Sequence, residues 1–248
     1  MSILWRMAIP NERTSFMAVQ RKNKINGLRV CLSFLWTVTC GGCHNILTCS
    51  FMKGIALVIS GPAGVGKTTL CDRLLLNHNL TLTRVITVTT RKPRDTERDG
   101  SDYIFVNRKK FLENIKCNAF LEYAEIHGNW YGSYRQSVQD KFQNNFDVLL
   151  NIDVQGASAL KDLEKNGSFL CGKFHSVFIM PSSLNELKQR LIKRGQDTFE
   201  NIENRMKTAE KEIKFSKSFD RIILSKTKDE DYKELNEFYL KHSKLAKN

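Results

Sequence analysis

The chain has 248 residues, of which 41% are hydrophobic and 26% charged, the balance of a globular protein rather than of a disordered or fibrous one. Its length allows one α/β domain with insertions or two small domains, and no apolar run approaches the roughly 18 residues that span a membrane. The formal net charge of +13 is compatible with nucleic acid, a membrane surface or small anionic substrates, and charge alone does not choose among them.

Residues 1–51 stand apart because they carry four of the seven cysteines. Cys40-Gly-Gly-Cys43-His44 matches the C-x-x-C-H pattern of covalent haem attachment, and Cys49 or His44 could complete a zinc set with the two cysteines. The sequence shows neither a surrounding haem fold nor a second paired half for a zinc site. The metal interpretations therefore stay open but weak.

An apolar run from Leu28 to Thr39 follows basic residues, which is typical of a targeting segment, although a convincing cleavage site is missing. Met52 stands just before the first predicted core strand. We therefore predict that residues 1–51 are a poorly ordered extension or an upstream reading-frame artefact, and that residues 52–248 form the functional domain.

The other three cysteines are scattered through the predicted domain, at Cys71, Cys117 and Cys171. Such isolated cysteines are typically small buried hydrophobic residues rather than disulfide partners. A reducing compartment, the cytoplasm, is the location that this pattern predicts.

The stretch from Ile55 to Leu70 has the order of strand, glycine loop and helix that a phosphate-binding loop needs. Its IALVI segment suits a strand buried on both faces, and the loop lets successive backbone N–H groups surround a phosphate at the positive end of the new helix. Lys67 can reach the terminal phosphates of a nucleoside triphosphate, and the Thr68 hydroxyl can bind Mg²⁺. A chance match in a glycine-rich turn would not bring the flanking strand and helix. The predicted ATP-binding residues are Gly61, Pro62, Ala63, Gly64, Val65, Gly66, Lys67, Thr68 and Thr69.

A basic cluster of Arg91, Lys92 and Arg94 follows a predicted strand that contains Val85, Ile86 and Val88. Isolated arginines usually belong to a solvated loop. Two guanidinium groups with a nearby phenol, so soon after a phosphate loop, instead favour a second phosphate partner.

Residues 120–133, with the sequence FLEYAEIHGNWYGS, predict two short strands joined through Gly128-Asn129. The blocks T-T-R-x-P-R-x-x-E-x-x-x-x-x-Y-x-F and F-L-E…G-N-x-Y-G-S, behind a G-P-x-G-x-G-K-T loop, resemble guanylate kinase. The resemblance runs from about Ile55 to the C-terminal helix.

This resemblance implies a P-loop three-layer α/β/α fold with a five-stranded parallel core sheet. It implies a core of residues 52–86 and 134–248, a small and mostly β GMP-binding insertion at about 87–133, and a short helical lid at about 194–202. By the family pattern, the GMP phosphate would be held by Arg91, Arg94, Tyr103 and Tyr131.

Guanine presents the N1–H and the N2 amino group as adjacent donors, beside the acceptor O6. Glu122 can accept from both donors, and a hydroxyl of Thr87 or Ser133 can donate to O6. Adenine would leave that carboxylate unpaired in a buried site, which costs several kcal/mol.

The segment from Asp147 to Asp153 predicts the next core strand, with Asp153 at the edge where open α/β sheets bind ligands. It resembles the family block D-I-D-x-Q-G, but Asn151 replaces the first aspartate. Asp153 is therefore the expected functional acid of the pair, on the GMP side of the site.

Two more strands are predicted at Val177–Met180 and Arg221–Ser225, with helices after Ser183, over Ile202–Ile213 and from Asp229 to Lys247. The R-G-x-[DE]-[ST] turn resembles the family lid, which implies that Arg194 and Arg205 reach the ATP phosphates. Ser225-Lys226 stands where the family has Asn-Asp near the adenine, so backbone contacts would have to replace those side chains.

The resulting hypothesis is ATP-dependent phosphorylation of GMP to GDP with Mg²⁺, with Lys67, Arg91, Arg194 and Arg205 as catalytic residues. A protein-binding module of the same fold is the alternative from another class, although it would have no need of the intact loop. A related P-loop kinase of another phosphorylated acceptor is the third reading. Nucleic-acid binding has no motif behind it, and the oligomeric state is not predicted.

Overall fold

The computed structural model describes residues 54–195 and 198–243, together with two short strands nearer the N-terminus. Contacts between Cα atoms divide the chain into the units Met1–Met52 and Lys53–Asn248. In the first unit β1 (Phe16–Met17) pairs antiparallel with β2 (Thr37–Val38). The expected poorly ordered extension and the cysteine–histidine segment otherwise lie outside the described residues.

A five-stranded parallel sheet forms the centre of the second unit, in the order β11-β10-β3-β9-β4. All five residues of its middle strand are buried, as expected for the run of apolar residues before the glycine loop. The strands are β3 (Ala56–Ser60), β4 (Leu82–Arg84), β9 (Asp147–Asn151), β10 (Phe174–Met180) and β11 (Arg221–Leu224).

Helices cover both faces of this sheet. Side chains of α1 (Lys67–Asn77), α5 (Leu184–Arg194), α6 (Phe199–Lys214) and α7 (Lys228–His242) share one apolar cluster with Leu57 and Ile59 of β3. The helices α3 (Arg135–Gln143) and α4 (Val154–Lys165) contact β9, β3 and β10. Because the alternate residues Val58 and Leu150 are also buried, the sheet has no open face, which confirms the three-layer α/β/α fold.

A second sheet of four strands, in the order β6-β5-β8-β7, forms the insertion. Its strands are β5 (Thr87–Thr89), β6 (Tyr103–Phe105), β7 (Phe120–Ile126) and β8 (Asn129–Tyr134). The helix α2 (Arg108–Lys116), which the sequence analysis did not predict, places Phe111 in a small core with Val88 and Phe120. The rings of Phe111 and Phe120 stack with centroids 4.4 Å apart.

The strand predicted through Val85, Ile86 and Val88 is in fact two strands in different sheets. The Val85 N–H still donates to the Leu149 carbonyl of β9 at 2.9 Å, whereas Thr87 already pairs with Tyr103 in the insertion. The chain therefore passes from the core sheet to the insertion at Val85-Ile86, and the uniform β propensity of this stretch hides the change.

The hairpin turn lies one residue earlier than predicted. Ile126 pairs with Asn129 across β7 and β8, which leaves His127 and Gly128 as the two turn residues. Both have positive φ, 49° and 76°, as a type I′ turn requires.

Two other predictions meet the limits of the described residues or need correction. Gly195 ends α5 in the left-handed conformation and Thr198 caps α6, but residues 196–197 of the expected lid lie outside the description. The last helix ends at His242 rather than at Lys247, and residues 244–248 are not described. None of the described helices has the length and apolar composition to cross a bilayer.

The cysteine prediction holds at one position of three. Cys71 is buried and free of a disulfide, whereas Cys117 and Cys171 are free but exposed, so the prediction of buried hydrophobic residues was wrong for them. Burial raises the pKa of the Cys71 thiol to about 12, which keeps it protonated.

A buried carboxylate joins both ends of the domain. Asp147, the first residue of β9, is fully buried and accepts hydrogen bonds from the Ile55 N–H at 2.7 Å and from the Tyr239 hydroxyl at 2.9 Å. The Ser243 hydroxyl also donates to it. One side chain thus ties the start of the first core strand to the end of the last helix.

We predict that Asp147→Ala lowers the free energy of unfolding by about 3 kcal/mol or more, because three buried donors lose their acceptor. Urea denaturation followed by circular dichroism measures the change. Asp162→Ala, at an exposed position of α4, is the control and should change stability by less than about 0.5 kcal/mol. Equal stability of the two variants would contradict the structural role of Asp147.

Candidate active site

The glycine loop connects β3 to α1 in a conformation that glycine favours. Gly61 and Gly66 have φ of 140° and 108°, and a Cβ atom at Gly61 would lie 2.5 Å from the Ile179 carbonyl oxygen of the neighbouring strand. The Lys67 ammonium donates to the carbonyls of Gly61 and, at 3.0 Å, Pro62. Burial lowers the pKa of Lys67, and negative groups that include Glu212 and Asp153 oppose the change.

A cleft of about 620 Å³ opens above this loop, between the core, the insertion and the region of α5 and α6. Of the predicted site residues, Pro62, Val65 and Ser133 are buried and do not line it. All the other predicted site residues line the cleft: Gly61, Ala63, Gly64, Gly66, Lys67, Thr68, Thr69, Thr87, Arg91, Arg94, Tyr103, Glu122, Tyr131, Asp153, Arg194 and Arg205.

Glu122 lines this cleft with a carboxylate oxygen that has no hydrogen bond among the described residues. Its side chain lies on β7 with 5% of the residue exposed, and its Oε1 atom has no hydrogen bond within the described part of the chain. Ser133 of β8 lies opposite Glu122 in the strand pairing, and its hydroxyl is likewise buried without a hydrogen bond among the described residues. Burial raises the pKa of Glu122 to about 7; the nearby Ser133 opposes the rise, and the charge of Asp153 adds to it. Unpaired buried polar atoms are rare, and the one on Glu122 belongs to a residue that lines a cleft a ligand can fill.

The start of α4 touches Glu122 directly. Asp153 caps α4 by accepting from the Gly156 N–H at 3.0 Å. A Cβ atom at Gly156 would lie 2.5 Å from Oε2 of Glu122, so a larger residue there would displace the Glu122 carboxylate from its present position. Asn151, at the end of β9, also lines the cleft.

The basic cluster of the insertion is ordered by an acid that the sequence analysis did not assign to the site. The Arg91 guanidinium lies 2.8 Å from both carboxylate oxygens of Glu97 and 5.4 Å from the centre of the Tyr103 ring. Arg94 lies 3.6 Å from the same carboxylate. The rings of Tyr103 and Tyr131 meet edge to face, 6.3 Å apart.

The opposite wall of the cleft comes from α5 and α6. Arg205, Thr208 and Glu212 line it from one face of α6, at spacings of three and four residues. Burial raises the pKa of Glu212 to about 7, against the opposing charge of Lys67. The sequence analysis missed Thr208 and Glu212, although their helical spacing from Arg205 was a usable signal.

Arg190 of α5, which could have been simple basic surface, also lines the cleft. Its guanidinium donates to the Val65 carbonyl at 3.3 Å and to Glu186 at 2.5 Å. The side chain therefore links α5 to the backbone of the glycine loop at Val65.

A glycine loop on a parallel sheet, facing a second cluster of arginines and tyrosines across one cleft, defines a P-loop nucleotide-binding protein with a separate site for a phosphorylated second substrate. The family model described as guanylate kinase matches residues 53–242. The chain belongs to the guanylate kinase family.

Named relatives agree with this assignment. The chain is 41% identical to a guanylate kinase of Clostridium tetani over 173 residues, which cover 70% of this chain and 79% of the relative. It is 40% identical to one of Clostridioides difficile over 183 residues, 74% of this chain and 85% of the relative. The crystal structure of guanylate kinase from Anaplasma phagocytophilum superposes with a TM-score of 0.62 at 30% identity, covering 79% of this chain and 89% of that one.

The raised pKa of Glu122 predicts a pH-dependent stability. Between its ordinary value of 4.5 and its folded value of about 7, the folded chain keeps a proton that the unfolded chain has lost, so stability falls as pH rises. We predict that Glu122→Gln, which does not titrate, gains stability relative to the natural chain by roughly 3 kcal/mol between pH 4.5 and pH 8.

Urea denaturation without nucleotide at both pH values measures this difference. Glu125→Gln, at an exposed position of the same strand, should show no such trend. A Glu122→Gln difference that does not change with pH would contradict the burial of an unpaired carboxylate.

Proposed function

We propose that the chain transfers the γ-phosphoryl group of ATP to the phosphate of GMP, giving ADP and GDP. The observation that carries the proposal is that the unpaired carboxylate of Glu122 and the ammonium of Lys67 line one cleft. One end of the cleft is built to hold a triphosphate and the other to read a base.

Glu122 selects the base. Its carboxylate can accept from N1–H and N2 of guanine, and these donors replace the partner that the protein does not provide. Thr87 lines the cleft and can donate to O6, whereas the Ser133 hydroxyl lies opposite Glu122 but is buried and does not line the cleft. Adenine offers no pair of donors here and would leave the acid desolvated and unpaired, which supports discrimination of roughly 10⁴-fold.

Arg91, Arg94, Tyr103 and Tyr131 bind the phosphate of GMP. A phosphate monoester has a second pKa near 6 and is already mostly a dianion at pH 7, so its oxygen needs no strong general base. The task of the cleft is to align this oxygen with the γ-phosphate and to neutralise charge.

The glycine loop binds ATP through its backbone N–H groups, with Lys67 at the terminal phosphates. The ammonium has to leave the carbonyls of Gly61 and Pro62, its present partners, to do so. Arg194 and Arg205 reach the same phosphates from α5 and α6, and closure of these helices over the cleft excludes water.

The residues present suit Mg²⁺ in the role that it plays with nucleotides. The described residues contain no group of three or more acidic, histidine or cysteine side chains that could hold a metal by themselves, and Mg²⁺ prefers one or two protein oxygens with phosphates and water. The exposed Thr68 hydroxyl at the start of α1 would be its ligand. When bound, Mg²⁺ supplies neutralisation of phosphate charge. The cytoplasmic location remains a prediction.

A coupled assay of ADP release tests the reaction. With ATP as donor, we predict turnover with GMP and less than about 10⁻³ of that efficiency with AMP, UMP or dTMP. Turnover with another acceptor but not GMP would remove the guanine assignment and keep the kinase. No turnover with any acceptor, with GMP still bound, would favour a binding module.

Loss of a lid arginine should slow the reaction more than it weakens GMP binding. We predict that Arg194→Ala and Arg205→Ala lower kcat about 100-fold or more while the KM for GMP changes less than about threefold, because these side chains act on transferring charge. Lys207→Ala, exposed on α6, is the control. An unchanged kcat in both arginine variants would contradict their assignment.

A further inference from the structure

Glu97 is the acid around which the basic cluster of the insertion is arranged. Its carboxylate accepts two hydrogen bonds from the Arg91 guanidinium, both at 2.8 Å, and one from the Arg94 backbone N–H at 2.9 Å. The Arg94 guanidinium lies 3.6 Å away. One side chain thus contacts both arginines that the proposed function assigns to the GMP phosphate.

The backbone reinforces this arrangement. The Glu97 N–H donates to the Arg94 carbonyl at 3.0 Å while the Glu97 side chain accepts from the Arg94 N–H, so the turn between them is closed in both directions. At the other end, the Arg91 N–H donates to the Thr89 hydroxyl of β5 at 3.2 Å. The loop that carries the arginines is therefore fixed to the sheet at one end and to Glu97 at the other.

This cluster differs from an ordinary surface salt bridge. Only 12% of the Glu97 side chain and 18% of the Arg91 side chain are exposed, and the guanidinium packs near the Tyr103 and Phe105 rings. Exposed ion pairs contribute little because water competes for them. Here one guanidinium nitrogen of Arg91 donates to both carboxylate oxygens and the other donates to the Lys92 carbonyl, so a largely buried side chain is held at two places.

The charge of Glu97 also persists at neutral pH. Burial opposes ionisation, but the Arg94 N–H and the Arg91 guanidinium outweigh it and hold the pKa of Glu97 below its usual value. A lowered pKa means that the pairing is intact above the ordinary carboxyl range and is lost only as the pH falls through the folded value.

Glu97 does not line the cleft, whereas Arg91, Arg94, Tyr103 and Tyr131 do. The acid thus lies behind the arginines. From there it can set their positions without meeting a bound anion.

We propose that Glu97 is a positioning residue that holds Arg91 and Arg94 at the spacing a phosphate monoester requires, without touching the substrate. The inference rests on the proposed function, because it assigns the acceptor's phosphate to these two arginines. The proposal requires that Glu97 contribute to the binding affinity of the ligand's phosphate and not to that of its base.

Equilibrium binding of GMP and of guanosine, measured by calorimetry, separates these contributions. For Glu97→Gln we predict GMP affinity weakened about 10- to 100-fold, the scale of lost charge-assisted hydrogen bonds, and guanosine affinity within twofold of the natural chain. The KM for GMP should rise more than kcat falls. In the Arg91→Ala background, Glu97→Gln should have a much smaller effect, because its main partner is gone.

Glu125→Gln is the matched control, since Glu125 is an exposed acid of the same insertion and lies 3.7 Å from Arg108. It should change neither affinity. Equal weakening of GMP and guanosine by Glu97→Gln would show that the residue merely supports the insertion and would overturn the proposal, as would unchanged GMP affinity.

Failure of the proposed function has a different signature. If the natural chain binds AMP as tightly as GMP, and both affinities depend on Glu97, the guanine assignment falls and the positioning role stands. If GMP binds no more tightly than guanosine, the arginine cluster does not hold the phosphate and both proposals fall.

Discussion

The parallel pairing of β3 with β9 is the constraint on which the site depends. Ile59 and Asn151 are neighbours in this register, so the glycine loop and Asp153 leave the sheet at the same edge. The helix that Asp153 caps then presents Gly156 to the Glu122 carboxylate, which a larger residue at this position would displace. The strand pairing and the contact at Gly156 thus bring the glycine loop of the core and Glu122 of the insertion into one cleft.

The charges of this cleft are arranged for ligands rather than for one another. Glu122 and Glu212 have pKa values raised by burial, Lys67 has a lowered one, and the lysine rests on loop carbonyls. Each group is therefore held in surroundings that disfavour its charge, and under the proposed function bound nucleotides would supply donors for the acid and phosphate for the ammonium. The basic cluster differs, because the Glu97 carboxylate already pairs with the charge of Arg91 when no phosphate is bound. Such preorganisation lowers the cost of ordering long side chains on binding.

The local patterns of the sequence were sufficient for the phosphate loop with the strand and helix that flank it. The resemblance to guanylate kinase supplied the five-stranded parallel core and most of the other predicted residues of the cleft, although Thr208 and Glu212 were missed. Contacts that only the tertiary structure sets could not be predicted in this way. The change of sheet at Val85-Ile86 is invisible in a run of β-branched residues, and the turn at His127-Gly128 depends on a register one residue from the expected one. Glu97 is part of the quoted motif, yet its role as the hub of two arginines appears only when the loop folds back. A residue that acts by positioning another side chain leaves no sequence motif from which that role could be predicted.

The central claim, that the triphosphate site and the guanine site face each other across one cleft, is tested most directly with a bisubstrate ligand in which adenosine and guanosine are joined through a chain of phosphates. Calorimetry on the natural chain should give an affinity at least about 10²-fold tighter than that of ATP or GMP alone, because the second site is engaged within one molecule. The gain should disappear in both Lys67→Ala and Glu122→Gln. A bisubstrate ligand that binds no more tightly than ATP, or whose affinity is indifferent to Glu122→Gln, would contradict the account.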